Sequence, residues 1–521
     1  MSKIQYLDLK NVSYDTNTNI VLKNLSFHVN RGEFIAIVGQ SGIGKTTLLK
    51  LIAGLKKPSS GNISFSADHT RISFVFQTPS LLAWKSVIEN VVFPLSLQRK
   101  PITKEILKQA KTILSLLEIQ NKINCYPHEL SEGQKQRVSL ARALITKPSL
   151  ILMDEPFASL DAMTRERLQQ LLWNIWKKEK ITILFVTHSI SEATLLAQKI
   201  IILDGSPAEI HDCIVIPPKN DNDIFLASSS ISNTITSVRK KVLFLWDKKT
   251  DEVDVPEKSR NISRNISTFT IPILTILGCI LGYEVIRSFF SIPSYILPSL
   301  EGVFVLTISW LRSGTILQYS AQTVTATLGG FFIALPIAVL LGILSAKSTT
   351  ISKVLTPLLV AFQVIPIIAY APILIIWFGL DMASKMYTAG LISFFPIYMN
   401  TIAGIQSLPS SLRELKILYK TTPLKGFLRI DLPYAFPHLF SGLQVAITFS
   451  LVGAVVGEFM AGNQGLGHLI SIARSTFNIS GVFVCIIALW IIGISLQLLL
   501  KLLKKIFSYW ANYSYYEKEL P

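Results

Sequence analysis

Cysteine is scarce in this chain, and the few cysteines are far apart. Cys125, Cys213, Cys279 and Cys485 form no Cys-x-x-Cys pair in 521 residues. A disulfide framework or a cysteine-based zinc site needs paired cysteines, so the sequence predicts neither. The N-terminal stretch "MSKIQYLDLKNVSYD" also lacks the apolar run of a secretory signal. We therefore expect the first half of the chain to stay in the cytosol.

Charged residues are also few, and they are unevenly placed. Only 16% of the residues are charged, whereas 50% are hydrophobic. Most of the charges fall in residues 1–265, while residues 269–505 contain several apolar runs of about 20 residues, the length that spans a bilayer as a helix. A chain of this length exceeds one hydrophobic core, so we expect at least two domains.

The net charge is +17, which two classes of protein could explain. One is a nucleic-acid binder, and the other is a membrane protein whose lysines and arginines gather on the cytoplasmic side. The apolar runs favour the membrane protein, because the positive-inside rule needs no basic patch with interleaved aromatic residues.

The stretch "FIAIVGQSGIGKTTLLKLIAGL" predicts a buried strand at 34–38, a glycine-rich loop and a helix from Lys45. Backbone amides of Gly42 and Gly44 would surround a β-phosphate at the positive end of that helix. Lys45 would neutralise the β- and γ-phosphate oxygens, and the hydroxyl of Thr46 would bind Mg²⁺. The strand and helix on either side make a chance glycine-rich turn a poor alternative.

A second apolar strand ends in an acidic pair, in "LILMDEPFASLD" at 150–161. Asp154 and Glu155 would lie at the carboxyl edge of a parallel sheet, where such sheets bind ligands. Asp154 suits a Mg²⁺ ligand, and Glu155 suits the general base that polarises the attacking water. Alone, the pair could equally cap a helix; next to the glycine-rich loop, the catalytic interpretation is favoured.

Three further polar positions follow predicted elements. In "HELSEGQKQRVSLARAL", Ser131 can cap a helix and Gly133 permits close backbone approach, so this helix start could face a phosphate. One strand is predicted to end at Gln77 and another at His188. A lone glutamine or histidine after a strand is usually structural, but both fall where a γ-phosphate sensor is needed.

The motifs of residues 1–205, taken in the order in which they occur along the chain, resemble those of the ATPase subunit of ABC transporters. The resemblance implies an adenine-stacking aromatic residue (Tyr14), the Walker A loop 39–46, a Q-loop, the signature "LSEGQ" at 130–134, a Walker B pair, the D-loop "ASLD" at 158–161 and a switch histidine. The implied ATP-binding residues are Tyr14, Gly39, Gln40, Ser41, Gly42, Ile43, Gly44, Lys45, Thr46, Thr47, Gln77, Ser131, Gly133, Gln134 and Asp161. The implied catalytic residues are Glu155, His188 and Lys45, and the implied Mg²⁺ ligands are Thr46, Gln77 and Asp154.

One signature position departs from the family. Glu132 stands where glycine is usual, and its carboxylate would lie near the phosphates of the partner's nucleotide. We expect activity to survive, because the family's phosphate contacts come mainly from the serine and the following glycine, here Ser131 and Gly133.

Residues 206–266 are polar and rich in turn formers, which predicts a linker. Beyond it we predict six membrane spans and one apolar stretch, 303–311, that is too short to cross. The predicted spans are 269–290, 320–346, 353–378, 386–407, 438–461 and 481–503. The connection 408–437 and the C-terminal tail are basic, whereas 379–385 and 462–480 are nearly neutral, so the charges agree with a cytosolic ATPase.

The stretch "LRELKILYKTTPLKGFLRIDLPYAFPHLFSGL", 412–443, resembles the cytoplasmic coupling loop of ABC importers. Glu414 holds the acidic position and "IDLP" at 430–433 matches the end of the pattern, but Leu415 and Lys416 replace two alanines and Lys420 replaces a glycine. The stretches 291–299, 366–387 and 457–470 resemble permeases for nitrate, taurine and aliphatic sulfonates, and 77–95 fits the same branch. In that branch the ATPase and the permease are normally separate chains.

Few polar residues fall inside the predicted spans. Glu458 should face the bundle interior or a water-filled cavity, because a carboxylate in lipid is costly; a structural pairing and a contact with substrate both remain open. Glu284 and Arg287 are spaced to satisfy each other on one helix. Gln322, Gln363 and Gln444 are weaker candidates for lining a path.

The predicted fold is an α/β P-loop NTPase domain (1–205), a linker (206–266) and an all-α membrane domain of six transmembrane helices (267–521). The resemblance implies ATP- and Mg²⁺-dependent import of a small nitrate-, sulfonate- or taurine-like solute across the bacterial inner membrane, without nucleic acid. It also implies a multi-pass homodimer with a cytoplasmic ATPase domain, served by a periplasmic or lipid-anchored solute-binding protein. The alternatives are an ABC exporter and a soluble ABC ATPase acting on nucleic acid; the order of the domains and the coupling loop disfavour the first, and the spans the second.

Overall fold

The computed structural model describes residues 5–16, 19–66, 71–98, 101–217, a few residues between 282 and 293, 296–461 and 463–511. The chain divides into two compact units. The first joins Met1–Asp254, Pro409–Ile430 and Ala511–Pro521, and the second contains Val255–Leu408 and Asp431–Trp510. Residues 218–266 of the predicted linker lie outside the described residues, whereas 206–217 are described.

The described part of the first unit contains two β-sheets. The strands are β1 (Gln5–Asp15), β2 (Ile20–Asn30), β3 (Phe34–Val38), β4 (Ser60–Phe65), β5 (Ile72–Val75), β6 (Leu150–Asp154), β7 (Thr182–Thr187), β8 (Lys199–Asp204) and β9 (Glu209–Val215). An antiparallel sheet has the order β2-β1-β4, and the central sheet has the order β5-β6-β7-β3-β8-β9. The pairings in the central sheet are parallel except that of β9 with β8.

The central strands are apolar runs for a physical reason. Every residue of β3, β6 and β7 is buried, as expected of parallel strands that are covered on both faces. The predicted strand at 34–38 is confirmed. The sheet extends beyond residue 205, where the sequence placed the end of the domain, because β9 pairs with β8. The predicted boundary therefore separates two strands that pair with each other. Residues 206–266 are polar and rich in turn formers as a whole, so the sequence did not reveal the strand β9 at their start.

Helices of the first unit cover this sheet. They are α1 (Lys45–Ile52), α2 (Val87–Leu97), α3 (Lys104–Leu116), α4 (Glu132–Leu144), α5 (Ala162–Glu179) and α6 (Ile190–Leu196). At the start of α2, α4, α5 and α6, a side-chain oxygen accepts a hydrogen bond from a backbone N–H. The accepting residues are Ser86, Ser131, Asp161 and Ser189. The sequence therefore sets where these helices begin.

The second unit, as far as it is described, is helical. Its helices are α7 (Leu300–Arg312), α8 (Thr315–Lys347), α9 (Thr349–Val364), α10 (Ile367–Phe378) and α11 (Met382–Gln406), followed after the segment 409–430 by α14 (Leu432–Ala461), α15 (Leu466–Ser475) and α16 (Ile479–Ala511). The intervening segment, in the first unit, contains α12 (Ser410–Leu418) and α13 (Pro423–Gly426), and a π-helical stretch (Phe427–Asp431) leads into α14.

Among the described residues, four helices are long and apolar enough to cross a membrane by themselves. They are Thr315–Lys347, Met382–Gln406, Pro423–Met460 and Ile479–Ile506, and they correspond to four of the predicted spans. The stretch at 303–311 lies in α7, which has 13 residues and is too short to cross, as predicted. The first predicted span, 269–290, lies mostly outside the described residues, so the count of six stays a prediction.

The predicted span 353–378 is wrong as a single straight helix. The structure divides it into α9 and α10, which meet at an angle of 98°. The break falls at Ile365 and Pro366, and proline both lacks a backbone N–H and disfavours helical geometry in the residue before it. Hydropathy does not report direction, so the sequence profile could not separate one span from a bent pair.

Small residues allow α8, α11 and α14 to approach closely. A Cβ atom added to Gly330 would lie 2.5 Å from the carbonyl oxygen of Met386, and one added to Gly453 would lie 2.7 Å from the Cα atom of Ala389. Helices in lipid associate largely through such close packing, because burying apolar side chains gains little there. These glycines therefore set the spacing of the bundle.

Candidate functional site

The candidate site lies at the carboxyl edge of the central sheet, where several parallel strands end together. Val38 of β3 is paired with Thr187 of β7, and Asp154 of β6 is paired with Val186. The loop 39–44, the pair at 154–155 and His188 follow these strand ends directly. The register of the sheet therefore gathers residues that are up to about 150 positions apart in the chain.

The glycine-rich loop depends on backbone conformations that favour glycine. Gly42 and Gly44 have φ angles of 81° and 110°, in the left-handed region. A Cβ atom at Gly44 would also lie 2.8 Å from Cδ2 of Leu22. The loop leads into α1 at Lys45, as predicted, so its amides lie at the positive end of a helix, which favours anions.

Lys45 lies inside this loop and is only 5% exposed. Its Nζ donates to the carbonyl oxygens of Gly39 (2.7 Å) and Gln40 (2.8 Å), and it lies 3.9 Å from Oε1 of Glu155. Burial lowers the pKa of Lys45, and the negative charges of Glu155 and Asp154 oppose this shift. The loop therefore contains a buried cation with two carboxylates close by.

Thr46 and Asp154 form the oxygen pair that was expected to hold Mg²⁺. The Thr46 hydroxyl donates to Oδ1 of Asp154 over 2.8 Å, and the carboxyl group is buried. Burial raises the pKa of Asp154, while the bond from Thr46 opposes the shift. A hydroxyl and a buried carboxyl group, side by side at the mouth of a phosphate-binding loop, fit a small cation that prefers oxygen ligands.

Glu155 is the centre of a polar group at this edge. Its Oε2 accepts a bond from Nε2 of Gln77 (3.3 Å) and lies 3.3 Å from Nδ1 of His188. Glu155 has a φ angle of 42°, which is unusual for a residue with a side chain, and its N–H donates to the carbonyl oxygen of Val186 (3.1 Å). Such backbone strain clusters at functional sites, where the surrounding structure holds it in place. The geometry suits a base that orients a water molecule.

The other predicted ATP-binding residues have local contacts in the structure. Ser131 and Gln134 form a reciprocal capping box at the start of α4, and Asp161 accepts a bond from the N–H of Thr164 at the start of α5. A Cβ atom on Gly133 would lie 2.4 Å from Cγ2 of Thr164, so glycine lets α4 and α5 pack closely. These contacts account for the residue types within one chain and leave the predicted nucleotide contacts as expectations.

Tyr14 and Glu132 each have a lysine neighbour. The ammonium group of Lys56 lies 4.7 Å from the centre of the Tyr14 ring. Glu132, the departure from the family signature, pairs with Lys135 one turn along α4, at 2.7 Å. The lysine offsets the charge of the glutamate locally, so the extra carboxylate adds little net charge at the start of α4.

The segment Pro409–Ile430, which contains most of the predicted coupling loop, packs with the N-terminal residues in the first unit. Nζ of Lys50, in the last turn of α1, donates to Oε1 of Glu414 over 2.7 Å. Leu412 and Leu415 of α12 are buried, so this helix is seated by apolar contacts as well as by one ion pair. Lys420, where the family usually has glycine, has a φ angle of 47°, which explains why glycine suits that position.

Arg142 interacts electrostatically with this segment through Tyr419. Its guanidinium group is buried in α4 and donates to the carbonyl oxygen of Ser80, three residues beyond Gln77. Burial lowers the pKa of Arg142, and its charge in turn acts on the buried phenol of Tyr419. Sequence analysis missed Lys50 and Arg142, although each is a basic residue on a helix that follows an ATP motif.

Polar residues of the second unit cluster at one end of α14. Glu458 is buried in the bundle, as predicted, and its Oε2 accepts a bond from the N–H of Gly467 (2.7 Å). Lys385 of α11 is buried nearby and donates to Oδ1 of Asn463 (2.8 Å), while Gln322 of α8 accepts a bond from the N–H of Gly465 (3.0 Å). These bonds fasten residues 463–467 to three helices, which supports the structural pairing for Glu458.

The remaining polar candidates are placed as follows. Arg287 lies 3.5 Å from Glu284, so the two residues pair as expected from their spacing. Gln363 of α9 is exposed in the single chain, and Gln444 of α14 is partly buried, with its carbonyl oxygen 3.5 Å from Nε2 of Gln497. These contacts do not define a path for a solute through the described helices.

Two family models match this chain. Residues 22–158 match the family described as "ABC transporter". Residues 338–508 match the family described as "Binding-protein-dependent transport system inner membrane component". The two matches fall in the two halves that the motifs distinguish, and the second is a permease type of import systems.

Curated relatives match the ATPase half. The aliphatic sulfonates import ATP-binding protein SsuB of Bacillus cereus is 38% identical over 239 residues, which are 45% of this chain and 91% of that protein. The nitrate import ATP-binding protein NrtD of Synechocystis sp. is 40% identical over 228 residues, or 42% of this chain and 85% of that protein. A solved dimeric ATP-binding cassette, MJ0796 with ADP and Pi, matches with a TM-score of 0.37 and 33% identity, covering 41% of this chain and 100% of that one.

The resemblance inferred from the motifs is confirmed. The protein is a multi-pass membrane protein with a cytoplasmic ATPase domain, and it couples ATP hydrolysis to transport. The exporter alternative is not favoured, because both the permease model and the relatives belong to import systems. The chain therefore belongs to the ABC transporter family, as an importer-type member that joins the ATPase and the permease component in one polypeptide.

Proposed function

We propose that this protein, as a homodimer, imports a small nitrate-, taurine- or sulfonate-like solute across the bacterial inner membrane. A separate solute-binding protein, periplasmic or lipid-anchored, delivers the solute. The relatives that are named for sulfonate and nitrate import support the solute class, and the match to a binding-protein-dependent permease family supports the binding protein. One ATPase and one permease component per chain support pairing of two copies.

The first step is the binding of ATP at the loop 39–46. The loop amides and Lys45 bind the β- and γ-phosphates, and Tyr14 stacks on the adenine. Thr46, Gln77 and Asp154 would hold Mg²⁺, and the ion would neutralise phosphate charge. Ser131, Gly133, Gln134 and Asp161 contact the nucleotide of the other protomer, as the resemblance of the signature and the D-loop to those of ABC transporters implies.

The chemical step uses the polar group at the carboxyl edge of the sheet. Glu155 accepts a proton from the attacking water, and Gln77 and His188 hold its carboxylate in place. His188 also detects the γ-phosphate. Lys45 stabilises the negative charge that develops on the phosphoryl oxygens.

One observation carries the coupling of this step to transport. The Lys50–Glu414 bond joins the helix that begins at Lys45 to the segment that connects α11 with α14. Both side chains are at most about one-fifth exposed, so the pair is more than a fully solvated surface contact. A shift of α1 on ATP binding therefore reaches the membrane helices through a short path.

The solute is tested with the binding protein itself. A tagged Glu155→Gln variant, held with ATP, is purified from native membranes together with its binding protein, and the ligand of that protein is identified by mass spectrometry. We expect a small nitrate-like anion, a sulfonate or taurine. A sugar, a peptide or a metal chelate as the ligand would rule out the proposed solute class, and the reproducible absence of a binding protein would count against an importer of this type.

Coupling is tested by exchanging the charges of the Lys50–Glu414 pair. Glu414→Lys and Lys50→Glu each place two like charges about where the ion pair was, so we expect either change to lower solute uptake by about tenfold or more, since one broken partly buried pair of about 1.4 kcal/mol corresponds to tenfold. The double exchange restores opposite charges and should recover much of the uptake. Uptake is measured in cells that contain the binding protein.

Basal ATP hydrolysis of the purified chains is the matched control. It should remain within about threefold of wild type in Glu414→Lys, because Glu414 is not among the predicted ATP- or Mg²⁺-binding residues. Lys50→Glu is compared separately, because the charge of Lys50 acts on Asp154. If the double exchange transports no better than the single variants, the pair does not carry the coupling.

A further inference from the structure

A partly buried polar network lies beside His188, and no role described above uses it. Its members are Thr187 at the end of β7, Glu192 in the first turn of α6 and Arg165 in the first turn of α5. Thr187 and Glu192 lie on either side of the turn that carries His188. The three residues come from elements that end or begin at the carboxyl edge of the central sheet.

The hydroxyl of Thr187 bonds across His188, to the backbone of the residue that follows it and to the side chain of Glu192. It donates to Oε2 of Glu192 over 2.6 Å, and it accepts a bond from the N–H of Ser189 over 3.0 Å. The hydroxyl of Ser189 in turn accepts a bond from the N–H of Glu192 (3.3 Å). Since Thr187 precedes His188 and Ser189 follows it, one side chain fixes the peptide unit between them.

The His188 side chain itself has little packing to orient it. It is 59% exposed, and its recorded partner is the carboxylate of Glu155, 3.3 Å from Nδ1. Because its own packing restrains the ring little, the placement of the ring beside Glu155 depends on where the backbone holds the Cα atom of His188. The hydrogen bonds of Thr187 therefore decide whether His188 faces Glu155.

Glu192 connects this turn to a second loop. Its carboxylate is buried, and Nε of Arg165 lies 3.9 Å from Oε1. The same guanidinium group donates through Nη2 to the carbonyl oxygen of Leu160 over 2.8 Å. Leu160 belongs to the turn 158–161, so Arg165 bonds to that turn while offsetting the charge of Glu192.

From this geometry we infer that Thr187, Glu192 and Arg165 are positioning residues for His188, and that they tie the turn 158–161 to it. The inference rests on the proposed role of His188 in ATP hydrolysis. None of the three residues needs to touch the nucleotide. They act by fixing the backbone at His188. Because Arg165 also bonds to the turn 158–161, the position of His188 depends on the conformation of that turn.

Thr187→Val separates this function from packing. Valine has nearly the shape of threonine, so it fills the buried position while removing both hydrogen bonds of the hydroxyl. Thr187→Ser keeps the hydroxyl and is the matched control. We expect kcat for ATP hydrolysis to fall about tenfold in Thr187→Val and less than about twofold in Thr187→Ser, since a hydrogen bond to a charged group is lost only in the first.

The Michaelis constant for ATP is measured first, because a general loss of structure would change it. It should stay within about twofold of wild type, because the loop 39–46 is unchanged. The measurements use the full-length chain in lipid nanodiscs, with steady-state phosphate release followed over a range of ATP concentrations and folding checked by thermal unfolding. A folded Thr187→Val chain with wild-type kcat would overturn the inference.

The second readout is the effect of Thr187→Val in a His188→Ala chain. If the hydroxyl acts through His188, its removal should cost less than about twofold once the imidazole is gone, because groups acting as a unit are not additive. An equal, about tenfold, loss in both backgrounds means that Thr187 acts elsewhere, and the inference fails. If His188→Ala alone has wild-type kcat, the proposed role of His188 falls instead.

Arg165 gives an independent comparison should Thr187→Val not fold. Its side chain is partly exposed, so Arg165→Gln is tolerated more easily than a change in the core. Arg165→Gln should lower kcat about fivefold or more in the wild-type chain and have less than about twofold effect in the His188→Ala chain, with Arg165→Lys closer to wild type. Equal losses for Arg165→Gln in the two chains would also overturn the inference.

Discussion

Glu155→Gln is expected to bind ATP with nearly wild-type affinity and to hydrolyse it about 10²- to 10⁴-fold more slowly, the usual contribution of a general base. Glutamine has the size of glutamate and still accepts hydrogen bonds from Gln77 and His188, but it cannot take a proton from water. Lys45→Ala should instead lose nucleotide affinity by about 10- to 100-fold, because it removes charge-assisted bonds of about 1.5–3 kcal/mol. The two changes thus separate chemistry from binding.

These variants are compared by phosphate release and by equilibrium binding of labelled ATP. Glu155→Gln should also accumulate as an ATP-bound closed dimer, which retains its labelled ATP when the sample is diluted. Glu166→Gln is the matched control, because Glu166 is an exposed carboxylate on α5 and the same substitution there should change neither quantity. Equal loss of ATP affinity in Glu155→Gln and Lys45→Ala would contradict the roles assigned to them.

A second large effect is expected when two inactive chains are combined. Each nucleotide in the proposed homodimer lies between the loop 39–46 of one protomer and Ser131 of the other. A dimer of one Lys45→Ala chain and one Ser131→Arg chain then contains one site with both defects and one intact site. Each variant alone should be nearly inactive, whereas the mixed dimer, isolated by two different tags, should regain clear ATPase activity.

The control uses the same two substitutions in another arrangement. A chain with both changes, paired with a wild-type chain, has one defect in each site if sites form between protomers, and should be inactive. If sites formed within one chain, the wild-type chain would keep an intact site and the activities of the two mixtures would be reversed. Thermal unfolding of each mixture checks that the loss of the Ser131 cap, about 1 kcal/mol, has not unfolded α4.

Much of the ATPase half could be predicted because its signals are local. An apolar pentapeptide before a glycine-rich loop predicts β3, and Lys45 opens α1 as expected. Ser131 predicts the start of α4, since a hydroxyl can accept an N–H there; the structure adds Gln134, whose side chain makes the cap reciprocal. The parallel register then brings Asp154, Glu155 and His188 to one edge, because the carboxyl ends of parallel strands coincide.

What the sequence could not provide depends on distant partners. Glu414 was noticed as the acidic start of a familiar loop, but nothing in the sequence pairs it with Lys50, which lies 364 positions away. The network at Thr187 had one local signal, the Ser-x-x-Glu spacing of residues 189–192, which predicts only a helix start. Its third member, Arg165, comes from another helix and could be found only by folding.

The bend at Ile365 and Pro366 restricts what can surround that part of the second unit. Where α9 ends and α10 begins, the last carbonyl groups of one helix and the first amides of the next have no partner within their own helix. Hydrocarbon offers such groups neither donors nor acceptors, so a helix break at membrane depth persists only beside protein or water. Pro366 has no N–H, so one fewer amide at the break needs a hydrogen-bond partner. If α9 and α10 lie at membrane depth, the break between them must therefore face protein or water and not lipid tails. The angle between the two helices can then change at the break without loss of further backbone hydrogen bonds.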